Sequence, residues 1–228
     1  MTFDDPRDSG RRLRDDDIRV TSGKTTLTGH LTIPERPMGL VVFAHGSGSG
    51  RYSPRNRHVA AVLDRAGIGT LLVDLLTPNE EAARANVFDI ELLARRLADV
   101  TRALATESRT DGLALGYFGA STGAAAALCA AADPELGVRT VVSRGGRPDL
   151  AGAALSRVQA PTLLIVGGDD PLVLELNHGA QAAMTCETEI RVIPGASHLF
   201  VEEGTLDQVA GLARDWFTAR LAPATAAS

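Results

Sequence analysis

Cysteine is scarce in this chain of 228 residues, with Cys129 and Cys186 the only two. That is too few for a disulfide framework, and nothing suggests that the two pair, so both are expected to be buried thiols. Lysine is rarer still, Lys24 standing alone. Basic charge falls almost wholly to arginine, and together with the abundant alanine this looks like a coding bias from which no mechanism is drawn. The net charge is −5 and no basic run is long enough to follow a phosphate backbone, which excludes nucleic acid as the expected partner and an anionic membrane surface with it. No apolar stretch approaches the ~20 residues of a membrane helix. The N-terminus alternates Asp and Arg where a targeting leader would place a basic segment before an apolar one. These absences leave a cytoplasmic protein as the expectation.

What is present is a core: 44% of the residues are hydrophobic, enough for one compact domain over 17–222. Residues 1–16 mix Asp4, Asp5, Asp8, Asp15 and Asp16 with Arg7, Arg11, Arg12 and Arg14, bury almost nothing, and are expected to form a mobile arm. Residues 223–228 are expected to be a tail. Two β-branched runs, Ile18 to Thr21 and Leu27 to Ile33, flank Ser22-Gly23-Lys24 and read as an antiparallel hairpin. Gly23-Lys24-Thr25 is not a nucleotide-binding loop, because Ile18 stands where that motif needs its first glycine.

From Gly39 onward, short apolar runs alternate with stretches of helical period, the pattern of buried parallel strands joined by crossover helices. The strands are expected at Leu40 to Ala44, Gly69 to Val73, Leu113 to Phe118, Thr140 to Ser143, Thr162 to Val166 and Glu189 to Ile193. Helices are expected at Arg57 to Ala66, Asp89 to Ala105, Ser121 to Ala131, Leu172 to Met184 and Leu206 to Leu221. With the hairpin this makes an α/β architecture of about eight strands, mostly parallel, with helices on both faces.

Gly119-Ala120-Ser121-Thr122-Gly123 fits G-x-S-x-G between a strand and a helix. A turn that tight tolerates only small neighbours, and it lifts Ser121 clear of the sheet beside the positive end of the helix. A serine hydroxyl needs a base with a pKa near 7 and a carboxylate to orient that base. Of the five histidines, His198 lies in a glycine-containing loop after the last strand. His30, His58 and His178 sit where structural roles suffice. The acid is expected from Gly167-Gly168-Asp169-Asp170-Pro171, with Asp170 preferred and Asp169 as the fallback. Each of the three residues then leaves the carboxyl end of a different strand, where α/β sheets place their sites. For an oxyanion, Thr122 N–H is one donor, and His45-Gly46-Ser47-Gly48-Ser49-Gly50 supplies a second, assigned to Ser47 N–H.

The segments Val41 to Ser49, Gly119 to Gly123, Val142 to Asp149, Pro161 to Asp170 and Pro194 to Phe200 together resemble the dienelactone-hydrolase-related branch of the α/β-hydrolase superfamily, over about residues 18 to 220. The resemblance implies an α/β-hydrolase fold whose second strand is antiparallel, and a triad falling on Ser121, Asp170 and His198. It also carries one departure, since dienelactone hydrolases proper use a cysteine where this chain has Ser121, which favours a serine esterase over dienelactone chemistry. Arg144 and Arg147 follow a strand end near the expected rim, where they can recognise an acidic substrate or tie the loop to Asp149. The stretch from Ser143 to Thr162 is too short for a large cap domain, so an open site is expected. The whole reads as a serine hydrolase of a small-molecule ester, needing no metal or organic cofactor. An acyltransferase or thioesterase with the same triad, or a non-catalytic binder on the same fold, is the alternative, and oligomeric state is open.

Overall fold

The computed structural model describes residues 14–46 and 48–222. The hairpin is β1 (Arg14–Ser22) and β2 (Thr25–Ile33). The apolar runs become β3 (Leu40–Ala44), β4 (Gly69–Val73), β5 (Leu115–Ala120), β6 (Val138–Arg144), β7 (Thr162–Gly167) and β8 (Thr188–Ile193). All eight form one sheet in the order β1-β2-β4-β3-β5-β6-β7-β8. Only β2 runs against its neighbours, pairing antiparallel with β1 and β4, while the other pairs are parallel. This is the α/β-hydrolase arrangement expected from the sequence.

Residues 14–16 of the arm expected over 1–16 belong to β1. Arg14, Asp15 and Asp16 already pair with Ile33, Thr32 and Leu31. These three residues are exposed and polar, so apolar burial does not hold them; the backbone ladder does, helped by Thr32 Oγ1 donating to Asp15 at 2.8 Å and by Arg109 reaching Asp16 at 2.7 Å. The remainder of that arm, 1–13, and the tail 223–228 lie outside the described residues.

Alternating side chains along the strands feed two cores. In β3, Leu40, Val42 and Ala44 enter one cluster while Val41 and Phe43 enter the other. The first is covered by α4 (Ile90–Leu104), α5 (Thr122–Ala131) and α6 (Pro171–Ala183), the second by α1 (Pro54–Arg65) and α7 (Thr205–Leu221). Helix α1 begins three residues before its expected start because Pro54 occupies the first turn and the Ser53 side chain caps it, accepting from Asn56 N–H. Two one-turn helices, α2 (Pro78–Glu81) and α3 (Arg84–Val87), are too short to show a period in sequence. Between β6 and β7 runs only a 3₁₀ stretch, Pro148–Arg157, so no cap domain covers the sheet there. Among the described residues no helix is long and apolar enough to cross a membrane.

One charge sits badly in this frame. Asp64, near the end of α1, is buried and accepts from Thr70 Oγ1 at 2.9 Å. Burial, opposed by that hydrogen bond, raises its carboxyl from 3.8 to about 7. The folded chain therefore holds a proton that the unfolded chain releases between those values. The stability contributed by neutral Asp64 is complete below about pH 4 and is lost as the pH climbs to 7. Asp64→Asn keeps the oxygen facing Thr70 and removes the ionisation. In urea denaturation it should therefore gain on the wild type by a few kcal/mol more at pH 8 than at pH 4, and equal differences at the two pH values would contradict this account.

Candidate active site

Strand β5 ends at Ala120 and α5 begins at Thr122, leaving Ser121 as a single hinge residue between them. Its backbone stands at φ 51° and ψ −123°, a conformation that costs a non-glycine residue on the order of 1–3 kcal/mol. The turn exists because neighbouring Cβ atoms are missing. A Cβ on Gly119 would lie 2.4 Å from Ala124 Cα, and one on Gly123 would lie 2.1 Å from the Ala44 carbonyl oxygen at the end of β3. The start of α5 is thus pressed onto the exit of β3, the place where the loop from His45 departs.

That loop is held from three sides. Gly46 is so near the hinge that a Cβ there would be 2.8 Å from Ser121 Cβ. Asp74, just past β4, accepts from Arg51 N–H at 2.6 Å and forms an ion pair with its guanidinium. His45 is buried, its Nδ1 2.7 Å from Asn56 Nδ2 in the first turn of α1. Burial lowers the His45 pKa to about 4, so it is neutral, with Nδ1 accepting from the amide. The expected oxyanion donor Ser47 lies outside the described residues. Thr122, the other expected donor, is buried at the first position of α5, where a backbone N–H has no partner within the helix.

On the far side of the pocket, Asp170 caps α6, its Oδ1 accepting from Val173 N–H at 3.4 Å. Its other oxygen, Oδ2, lies 2.7 Å from His198 Nδ1. The capping bond leaves the carboxylate one orientation, which fixes the imidazole tautomer with its hydrogen on Nδ1. Asp169, the fallback, is exposed. The loop carrying His198 is seated by Asp169 N–H donating to the Ala196 carbonyl and by Ser197 N–H donating to Glu202. Ser121 and His198 line one cavity of about 180 Å³ together with Gly46, Ser49, Arg55, Ala120, Arg144, Gly145 and Leu199.

The remaining histidines lie elsewhere. His30 contacts Asp15 and Asp17, His58 contacts Asp207, and His178 is exposed on α6. The two arginines separate: Arg144 reaches the cavity, whereas Arg147 makes two hydrogen bonds to Asp149, at 2.9 and 2.8 Å, and is spent on its own loop. Three contributors were not foreseen: Arg55, which lines the cavity, and Asn56 and Asp74, ordinary polar residues whose partners lie elsewhere in the chain. The adjacency of Ser53-Pro54 to Arg55 and Asn56 was the one available signal, since it marks a helix start beside the glycine loop.

Replacing Gly123 by Ala should cost more than about 3 kcal/mol or prevent soluble expression, because the added methyl meets backbone that cannot withdraw. Gly179→Ala, in α6 with open space around it, should instead gain about 0.5–1 kcal/mol from helix propensity. Urea midpoints for the pair read the contrast.

Comparison with known proteins bears on this site directly. Residues 37–219 match the dienelactone hydrolase family. A dienelactone hydrolase from Anabaena variabilis is 51% identical, over 91% of this chain and 98% of its own, with a TM-score of 0.89. Est1E from Butyrivibrio proteoclasticus shares the fold at 14% identity and a TM-score of 0.74, over 89% of this chain and 98% of its own. Curated relatives from two strains of Mycobacterium tuberculosis, named as phosphoribosyl transferases, are 65% identical over 90% of this chain. The chain spans about half their length, 46%. By the extent of the family match and the likeness to the Anabaena protein, this chain belongs to the dienelactone hydrolase family.

Proposed function

We propose that this chain is a serine hydrolase of carboxylic esters, with Ser121 as nucleophile, His198 as general base and Asp170 as the carboxylate that orients the base. The observation that carries this reading is the shared cavity: the strained hinge serine and an imidazole bonded to a capped aspartate face the same small volume. Family membership supports a hydrolase, and the position of Ser121 at the strained hinge supports it as the attacking group.

In the first step His198 Nε2 takes the Ser121 proton as Oγ bonds to the ester carbonyl carbon. The negative charge moves to the carbonyl oxygen, toward Thr122 N–H and, in our assignment, Ser47 N–H. Collapse breaks the carbon–oxygen bond to the alcohol, which leaves with the proton from His198. Water then repeats the sequence on the acyl-enzyme, releasing the acid and restoring Ser121. Each oxyanion donor is worth about 3 kcal/mol of barrier in such sites. The His198 side chain is 38% exposed, which lets water reach the acyl-enzyme. We assign hydrolysis to this segment, and not the transfer chemistry named for the longer relatives, because the cavity presents a nucleophile and its base.

Ser121→Ala should lower turnover of p-nitrophenyl acetate by about 10⁴-fold or more and abolish labelling by a fluorophosphonate probe. Asp170→Asn should cost about 10²–10⁴-fold, through loss of the tautomer control it exerts. A Ser121→Ala protein that keeps most of its turnover, or a label mapped to any other residue, would overturn the assignment.

A further inference from the structure

Buried arginine is treated in two ways in this fold. Arg96 is 5% exposed and fully neutralised: its two terminal nitrogens donate to the two carboxylate oxygens of Glu80, and one also donates to the Leu75 carbonyl. Arg144 is as deeply placed, at 6% exposed, yet its polar contact is a neutral amide: Nη2 donates to Asn56 Oδ1 at 3.3 Å. Its Nε is buried without a partner, and the guanidinium carbon lies 5.8 Å from the Phe200 ring centroid. Asn56 passes no negative charge to it, because the other end of that amide donates to the uncharged His45.

A second arginine stands beside it. Arg55, one residue before Asn56, lines the same cavity, and its Nε is likewise buried and unpartnered. Among the described residues neither guanidinium has an ion-pair partner, and no carboxylate lines the cavity they share with Ser121 and His198. Burial, and then repulsion from Arg55, lower the Arg144 pKa to about 10, which still leaves it charged at neutral pH.

Two uncompensated cations facing one water-accessible cavity are matched by two negative charges. A carboxylate supplies one and leaves the second arginine unanswered, whereas a phosphate monoester carries about −1.5 to −2 at pH 7 and offers three oxygens to guanidinium forks. Elsewhere Arg51, Arg109, Arg147 and Arg220 each find an acid. We propose that Arg55 and Arg144 form a dianion subsite in the pocket of Ser121, and that the ester cleaved there carries a phosphate monoester group. The phosphate is held and not transferred; the bond that breaks is the carboxylic ester, whose acyl carbon passes through Ser121 to water. This rests on the assignment of Ser121 as nucleophile.

The test compares three matched p-nitrophenyl esters whose acyl chains end in a phosphate monoester, a carboxylate or a methyl group. With about tenfold for each charge-assisted contact, kcat/KM for the phosphate ester should exceed that of the methyl ester by about 100-fold. Arg55→Gln, at the partly exposed start of α1, should remove at least tenfold of that preference. Inorganic phosphate should inhibit methyl-ester cleavage competitively at concentrations at least tenfold below those at which acetate does, and Arg55→Gln should erase that margin. Equal rates for the carboxylate and phosphate esters overturn the dianion, and equal rates for all three overturn the subsite. Fluorophosphonate labelling of Ser121 is read on the same preparations. Normal labelling without a phosphate preference defeats this inference alone, whereas no labelling defeats the serine assignment beneath it.

Discussion

A carbonyl oxygen at the end of β3 and the first turn of α5 occupy nearly the same space, and they can do so only because residue 123 has no side chain: a Cβ there would sit 2.1 Å from Ala44 O. This contact ties two neighbouring strands together at their carboxyl ends. On one side it sets where Ser121 is presented, and on the other it sets where the glycine loop leaves the sheet. Gly119 does the same within the elbow, letting β5 turn directly into α5. The unfavourable backbone of Ser121 is tolerated because β5 and α5 are buried in the two cores and cannot relax around it. Core packing and the backbone geometry of Ser121 are therefore one constraint viewed from two ends.

Charge is organised around that elbow with a clear division. Away from the cavity, several arginines meet acids: Arg96 with Glu80, Arg51 with Asp74, Arg147 with Asp149. Several of these pairs have a positioning consequence, Arg51 with Asp74 most of all, since it fastens the end of the glycine loop to the end of β4. At the cavity the pattern stops. Removing an ion from water without a partner costs several kcal/mol, and the chain carries that cost at Arg144, which lines the cavity with Ser121. His45 and Asn56 keep the wall behind Arg144 neutral, which leaves its charge directed at the cavity.

Much of the fold was legible along the chain because burial on both sheet faces leaves a continuous apolar signature. Leu40–Ala44 and Gly69–Val73 form the strands that their composition demands, and seven of the eight strands lie within two residues of the expected bounds at both ends, β1 being the exception. Arg14 to Asp16 were not legible, as their pairing uses backbone atoms that any sequence possesses. Nor were α2 and α3, where four residues hold too little pattern to register.

The positions of Ser121 and His198, the narrowing of the acid to Asp169 or Asp170, and the glycines that frame them were legible in sequence alone, because a tight strand-to-helix turn and a loop after a buried strand each restrict residue type locally. Tertiary structure decided matters that depend on through-space distance. It turned Asp170, and not Asp169, to the imidazole, sent Arg147 to Asp149, and left Arg144 facing the cavity beside Arg55. Charge pairing is a relation between remote segments, and a linear pattern records which charges exist without recording which of them will find a counter-ion.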